Sequence, residues 1–153
     1  MAFMNSIDIV GSGLTAQQMR LDVISENITN IDTTRTEGGD GAYRRKVAVF
    51  ESRTNSDSFQ DIMSEKARRH NHSTDRTSGG VRVAEIVEDD SEMKTVYDPT
   101  HPDADEDGYV EYPNVTLVQE IADAMAASQA YSANVTAFNT LKSVMAKGLE
   151  IGV

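Results

Sequence analysis

Residues 7–31 read IDIVGSGLTAQQMRLDVISENITNI, and their apolar side chains recur at alternating intervals of three and four. This heptad spacing is typical of a helix that buries one face against another helix. The pattern predicts a helix that has Ser6 as its cap and ends near Asn30, where Asn, Asp and Thr side chains compete for backbone hydrogen bonds. Gly11 and Gly13 each cost it about 1 kcal/mol relative to alanine. The helix is therefore expected to depend on a packing partner.

A second apolar stripe with the same alternation lies at the other end of the chain. Pro113 and Asn114 predict the start of a second helix, which should run to about Lys147 and stop at Gly148. The residues assigned to a predicted assembly interface are Ile7, Val10, Leu14, Leu21, Ile24, Ile28 and Ile31 in the first helix and Ile121, Met125, Tyr131, Val135, Phe138, Met145 and Leu149 in the second.

The heptads fit two arrangements equally well. One is an ordinary hairpin core within a single chain, and the other is a seam between copies in a larger assembly. Gln17, Ser128 and Lys142 interrupt the two stripes. Such polar seam positions disfavour a simple two-helix coiled coil and suit the setting of register in an assembly.

The middle of the chain is polar and strand-like. Short alternating segments predict strands near 43–50, 81–87, 95–97 and 109–112, enough for a small antiparallel sheet. Residues 54–78 are mostly Ser, Thr, Asn, Asp and Arg and predict a long exposed loop. The predicted fold is mainly α with a small β-rich middle, the long N- and C-terminal helices packing as a coiled coil. Its three parts are an N-terminal assembly helix with its motif (1–36), a β-rich outer segment (37–112) and a C-terminal assembly helix (113–153).

Composition limits the classes of function. The chain has 153 residues, a net charge of −11 and no cysteine, which excludes disulfides and thiol chemistry. Between Glu85 and Glu111, eleven acids accompany a single base, Lys94. This surface should repel nucleic acid and anionic lipid. No stretch is long and apolar enough to span a membrane, and a secretory signal is not recognisable. We expect no nucleic-acid partner and no direct membrane insertion.

Candidate sites for metals and catalysis are weak. Residues 103–108 match the start of an EF-hand calcium loop, but Asn114 stands where the twelfth position needs glutamate. His70, His72 and His101 lack the ligand spacing of a zinc site. No nucleophile motif and no phosphate-binding glycine loop is present. The sequence predicts no enzyme, no catalytic residue, no metal site and no cofactor, with a calcium-binding module kept as an alternative.

Several short motifs carry a family resemblance when they are taken together. They are residues 25–33 (SENITNIDT), 33–45, 97–110, 112–115 (YPNV) and 128–135 (SQAYSANV). In order and spacing they resemble the bacterial flagellar axial proteins, and among these the proximal rod proteins. The resemblance covers nearly the whole chain, although Thr29 replaces a usual alanine and the 54–78 loop looks long. Its motif residues here are Asn27, Asn30, Thr33, Thr34, Tyr43, Arg44, Pro113 and Asn114.

The resemblance implies a structural role. Proteins of this kind are exported by the flagellar type III apparatus without a cleaved signal. They polymerise through their terminal helices into the tubular rod of the basal body, outside the cytoplasmic membrane, and the rod transmits torque for motility. The implied partners are copies of the chain, other rod proteins and the export apparatus. A soluble helical-hairpin adaptor remains the alternative from another class of function.

Overall fold

The structure is a computed structural model, and it describes residues 2–36, 41–53 and 79–151. Within these ranges, two long helices enclose four short strands in the sequence. The elements are α1 (Ala2–Thr29), β1 (Lys46–Ser52), β2 (Val81–Glu88), β3 (Lys94–Tyr97), β4 (Tyr109–Tyr112) and α2 (Leu117–Ile151). This architecture confirms the predicted fold class. The predicted loop at 54–78 lies outside the described residues, and the three-part division of the chain stays a prediction.

The two helices pack against each other in opposite directions. A Cβ atom on Gly13 would lie 3.0 Å from Asn134 Nδ2, and Asn27 lies 3.1 Å from Glu120 at the far end of the pair. Small side chains lie between them, since Ala16 and Ala127 are both buried. Alanine at these positions lets the helix axes approach closely. Each helix thus covers an apolar face that would be exposed if it stood alone.

The helix ends differ from the prediction. Helix α1 begins at Ala2, so Ser6 lies inside it rather than capping it, and its last residue, Thr29, is one short of the predicted end. Helix α2 begins at Leu117 rather than directly after Asn114, because the Asn114 side chain binds the backbone of Arg45 instead. It also continues through Gly148 to Ile151.

Strands β1 and β2 form an antiparallel ribbon that lies along α1. Val47 pairs with Val87 and Ser52 with Val81, with a bulge next to Val49. The Val81 amide donates to Ser12 Oγ at 3.0 Å, which anchors the ribbon to the helix. Beyond Ser52, the Arg53 amide donates to the Gly80 carbonyl and the Gly79 amide to the Arg53 carbonyl. These two bonds close the end of the ribbon at which β1 finishes and β2 begins.

Strands β3 and β4 form a second, separate antiparallel pair, with Lys94 opposite Tyr112 and Tyr97 opposite Tyr109. The prediction of one small sheet was therefore wrong. The reason lies between β2 and β3, where Asn114 Nδ2 donates to the carbonyls of Asp89 and Ser91. Because these groups bond to a side chain, the chain turns away from the first ribbon before it pairs again.

The first strand begins at Lys46 rather than near Tyr43. The amide of Tyr43 donates to the Thr33 carbonyl at 3.1 Å, and the amide of Arg45 donates to Asn114 Oδ1 at 2.8 Å. Both amides are therefore already hydrogen-bonded elsewhere, and strand pairing starts only after them. The segment between α1 and β1 is bonded to the turn after α1 and to the connection before α2 instead of to a neighbouring strand.

Among the glycines in the described part of the chain, Gly80 is expected to be the least tolerant of a side chain. Its φ is +95°, and an added Cβ would overlap Ser12 Oγ. We expect Gly80→Ala to lower the free energy of unfolding by about 1–3 kcal/mol, since the left-handed backbone strains any L side chain. Gly11→Ala is the control, because its Cβ would meet nothing within 4 Å and alanine favours a helix by about 1 kcal/mol. Urea unfolding followed by far-UV circular dichroism measures both, and equal stability of the two variants would contradict the expectation.

A buried polar junction as the candidate functional site

Asn27 lies at the centre of the contact between the helices and the strands, with only 1% of its surface exposed. Its Nδ2 donates to the Lys46 carbonyl at 2.8 Å and to Glu120 Oε2 at 3.1 Å. Its Oδ1 accepts from the Tyr43 hydroxyl and from the Lys46 amide, both at 2.9 Å. All four hydrogen-bonding positions of this amide are therefore used. Toward Lys46, Asn27 bonds both backbone groups, as a neighbouring strand would.

Glu120 is a carboxylate with no exposed surface. Its Oε1 accepts a 2.6 Å hydrogen bond from Arg45 Nε, and its Oε2 accepts from Asn27. A buried charge is costly unless it is paired and hydrogen-bonded. Arg45 supplies the pairing from the segment before β1, and its side chain is only 14% exposed. We call Asn27, Tyr43, Arg45, Asn114 and Glu120 the polar junction.

Acidic groups surround the rest of the Arg45 guanidinium. Its Nη2 lies 3.3 Å from Asp123 Oδ2, and its Nη1 lies 3.6 Å from Asp89 Oδ2. Asp123 also accepts from Arg20 of α1 at 3.1 Å. Both aspartates are about one third exposed, so these contacts are screened by solvent and are weaker than the buried pair. The contacts of Asp123 nevertheless link α1, the segment before β1 and α2, which the polar junction also joins.

The junction changes the titration of its own groups. Burial, followed by the negative charges of Glu26, Glu120 and Glu88, raises the pKa of Tyr43 to about 12. Burial alone would lower the pKa of Arg45, but the hydrogen bond and charge of Glu120 outweigh it and raise the pKa. Hydrogen bonds from Ser91, with the charge of Arg45, lower the pKa of Asp89. The electrostatic environment thus favours a neutral tyrosine and a charged arginine.

The structure brings three of the predicted motif residues, Asn27, Tyr43 and Asn114, into the junction. Others form the turn after α1: Thr33 Oγ1 donates to Asn30 Oδ1 at 3.1 Å, and Thr34 Oγ1 donates to Asp103 Oδ2 at 2.9 Å. Arg44 is exposed, and Pro113 is fully buried.

The predicted assembly-interface residues range from buried to exposed. In α1 and its following turn, Ile24 is buried, and the others are partly buried: Ile7, Val10, Leu14, Leu21, Ile28 and Ile31. In α2 the partly buried ones are Tyr131, Val135, Phe138 and Met145. The exposed ones are Ile121 at 47%, Met125 at 60% and Leu149 at 72%. That these residues contact other copies stays a prediction.

Sequence reasoning missed Arg45, Glu120 and Asp123. Glu120 stands directly before Ile121 in the apolar stripe, and a search for apolar periodicity treats it as a solvent-facing acid. The side of α2 that meets α1 carries Glu120 and Ala127. Only a search for a buried polar partner to Asn27 could have pointed to this face.

The arrangement has no features of a catalytic or metal centre. Both Glu120 oxygens are already bonded, and no group of three His, Asp or Glu among residues 2–36, 41–53 and 79–151 is placed to hold a metal. His101 lies beside Asp103 in the 98–108 loop, with its Nδ1 accepting the Asp103 amide at 3.2 Å, whereas His70 and His72 lie outside the described residues. Within the described residues, no helix is long and apolar enough to cross a membrane.

Comparison with known proteins gives matches to both ends of the chain and to its whole length. The family described as "Flagella basal body rod protein" matches residues 7–35, and "Flagellar basal body rod FlgEFG protein C-terminal" matches residues 106–151. The chain is 41% identical to the flagellar basal-body rod protein FlgC of Bacillus subtilis, with 99% of each chain covered. The chain belongs to the FlgC family of flagellar basal-body rod proteins.

Other FlgC proteins are similar over the same span. That of Borreliella burgdorferi is 43% identical, with 99% of this chain and 98% of the relative covered. That of Salmonella typhimurium is 39% identical, with 99% of each covered. The family resemblance predicted from the short motifs is thereby confirmed. The two matched segments contain Asn27 and Glu120 respectively, so the junction joins the two parts of the chain that the family models describe.

Removal of Arg45 should be costly, because it leaves Glu120 buried and unpaired. We expect Arg45→Ala to lower the free energy of unfolding by about 3–5 kcal/mol. Arg82→Ala is the matched control: the Arg82–Glu51 pair is 59% and 53% exposed, and an exposed pair contributes about 0–1 kcal/mol. Urea unfolding compares the two, and similar losses would show that the Arg45 contact is no stronger than a surface pair.

Tyr43 should make stability sensitive to alkaline pH. Its pKa is raised from 10.0 to about 12 on folding, so its contribution is fully present below pH 10 and is lost as the pH rises toward 12. Tyr43→Phe should cost about 1 kcal/mol at neutral pH, since Asn27 keeps its bond from Lys46. Urea midpoints across this pH range should fall less steeply for the variant than for the parent. Parallel profiles would contradict the assignment.

Proposed function

We propose that this chain is a structural subunit of the flagellar basal-body rod that polymerises through its terminal helices into the proximal part of the tubular drive shaft. Its partners are copies of itself and other rod proteins. It reaches its place outside the cytoplasmic membrane through the flagellar type III export apparatus, without a cleaved signal. Support comes from the relatives, which are named flagellar basal-body rod protein FlgC and match over 99% of this chain.

The observation that carries the assembly role is an exposed apolar patch on the first turns of α2. Leu117, Val118, Ile121 and Met125 are 46%, 77%, 47% and 60% exposed. By helical spacing, Val118, Ile121 and Met125 lie on the side of α2 away from Glu120 and Ala127, and Leu117 lies at the edge of that side. Contiguous apolar surface of this kind marks interaction sites on soluble proteins. A helix that buries one face within its own chain and exposes a second apolar face is suited to packing against further subunits.

The junction supports a structural rather than a catalytic role. Its buried carboxylate is neutralised by Arg45 and hydrogen-bonded by Asn27 within the same chain. An active-site carboxylate must instead reach a substrate or a proton. The groups of the junction bond to each other and to the Lys46 main chain, so they hold elements together and leave no charged group directed at a ligand.

A helical-hairpin adaptor is the second candidate function. It is favoured by the pairing of α1 and α2 within one chain, which satisfies the heptads without another copy. Such an adaptor would not need the exposed patch for polymerisation, and its role would leave the match to rod proteins over 99% of the chain without an explanation. The two functions differ in what a charge placed on the patch should do.

We expect Met125→Asp to abolish swimming in a cell that has this chain as its only FlgC. The Met125 side chain is 60% exposed, so the folded subunit should lose little stability, about 0.5 kcal/mol or less, while a desolvated contact with a neighbour would be lost. Gln119→Asp is the control, because it adds the same charge at an exposed position near the same helix start. Soft-agar swimming and circular dichroism are measured together. Normal swimming with Met125→Asp would contradict assembly through this patch.

A further inference from the structure

The apolar contact between α1 and α2 is compatible with more than one register of the two helices. Both helices carry heptad repeats, so moving α2 by seven residues, about 10 Å along its axis, again places apolar positions against apolar positions. Ala16 and Ala127 lie buried at the contact, and small side chains give it little shape that would oppose a slip. In coiled coils with such seams, a single buried polar residue often selects the register.

Glu120 is suited to that task, because its position on α2 has no equivalent. The acids of α2 are Glu120, Asp123 and Glu150, and of these only Glu120 is fully buried. In the observed register it meets both Arg45 and Asn27. A slip of seven residues would carry the carboxylate away from both partners and leave its charge buried without compensation.

We propose that the Arg45–Glu120 ion pair, with Asn27, selects the register of α2 against α1 and against the start of β1, and adds little stability beyond what an apolar pair would give. Buried ion pairs lose the hydration of both charges, and apolar residues of similar size often replace them at no loss of stability. Breaking one partner is costly and replacing both is not. The ion pair therefore selects one arrangement among several that apolar packing would accept.

The absence of cysteine from the chain makes the register directly measurable. Gly13→Cys/Asn134→Cys places two thiols at a point of close approach. Gly13→Cys/Leu141→Cys and Gly13→Cys/Ala127→Cys report slips of seven residues in the two directions. A short bismaleimide crosslinks the full-length purified chain, and peptide mass spectrometry gives the yield for each pair. In the parent chain we expect the Gly13/Asn134 pair to exceed either slipped pair at least tenfold.

The decisive variant is Arg45→Met/Glu120→Met, which keeps Asn27 and its bonds to Lys46. We expect its urea midpoint to equal or exceed that of the parent and its preference for the Gly13/Asn134 pair to fall at least tenfold. Arg20→Met is the control, because Arg20 joins the same helices through Asp123 at 3.1 Å, is about one third exposed and can be replaced without removing a partner of Arg45. It should retain the parent's crosslinking pattern. An unchanged pattern in Arg45→Met/Glu120→Met overturns the proposal, as does equal loss of preference in the control.

Moving the carboxylate tests the proposal even if the first variant fails to fold. In Glu120→Ala/Ala127→Glu, the acid can meet Arg45 and Asn27 only if α2 moves by seven residues toward its start. We expect the major crosslink to change from Gly13/Asn134 to Gly13/Leu141. Retention of Gly13/Asn134 as the major crosslink would show that the Pro113–Thr116 connection or apolar packing sets the register instead. These readouts are made on single chains, so they are independent of assembly.

Discussion

Burial of the Glu120 charge is the constraint on which the arrangement of this chain depends. A carboxylate without exposed surface must be neutralised at short range, and the positive charge comes from Arg45, 75 positions earlier. The segment before β1 must therefore lie against the first turn of α2. Asn27 donates a hydrogen bond to the other oxygen of the same carboxylate, which brings the end of α1 to the same place. The contacts of one acid thus locate three elements.

The connecting segments follow from that meeting point. Tyr43 sits between the turn after α1 and Asn27, bonding Thr33 through its amide and Asn27 through its hydroxyl. Asn114 holds Arg45 on one side and the Asp89–Ser91 backbone on the other. The second strand pair then begins only after this bound segment. The side-chain amides of Asn27 and Asn114 therefore bond main-chain groups that a further strand would bond in a larger sheet.

The sequence alone was sufficient for the helices and for most of the strands, because their periodicities of 3.6 and 2 are local properties. Helix boundaries were less predictable. Asn114 has the right chemistry for a cap, but its partners are 23 to 69 residues away in the chain. The division of four strands into two pairs depends on the same long-range bonds. Glu120 was missed because charge in a sequence suggests solvent, and only its contacts show that it is buried.

The exposed apolar patch at the start of α2 was half predictable. Ile121 and Met125 belong to the stripe that periodicity identifies, but the sequence could not show that Glu120 and Ala127, rather than they, face α1. That division depends on how the helix is rotated about its axis. The junction fixes this rotation, since Glu120 must point at Arg45. The inner polar contact thereby determines which apolar side chains are left facing outward.

The closed end of the first ribbon also has a consequence for evolution. The two bonds between Arg53 and the Gly79–Gly80 backbone hold the points where the chain leaves β1 and enters β2 side by side. The closure entropy of an intervening excursion changes by only about 0.6 kcal/mol for each doubling of its length. Residues can be gained or lost between these anchors with little effect on α1, α2 or the junction. A tag introduced between Arg53 and Gly79 is therefore expected to leave α1, α2 and the junction folded.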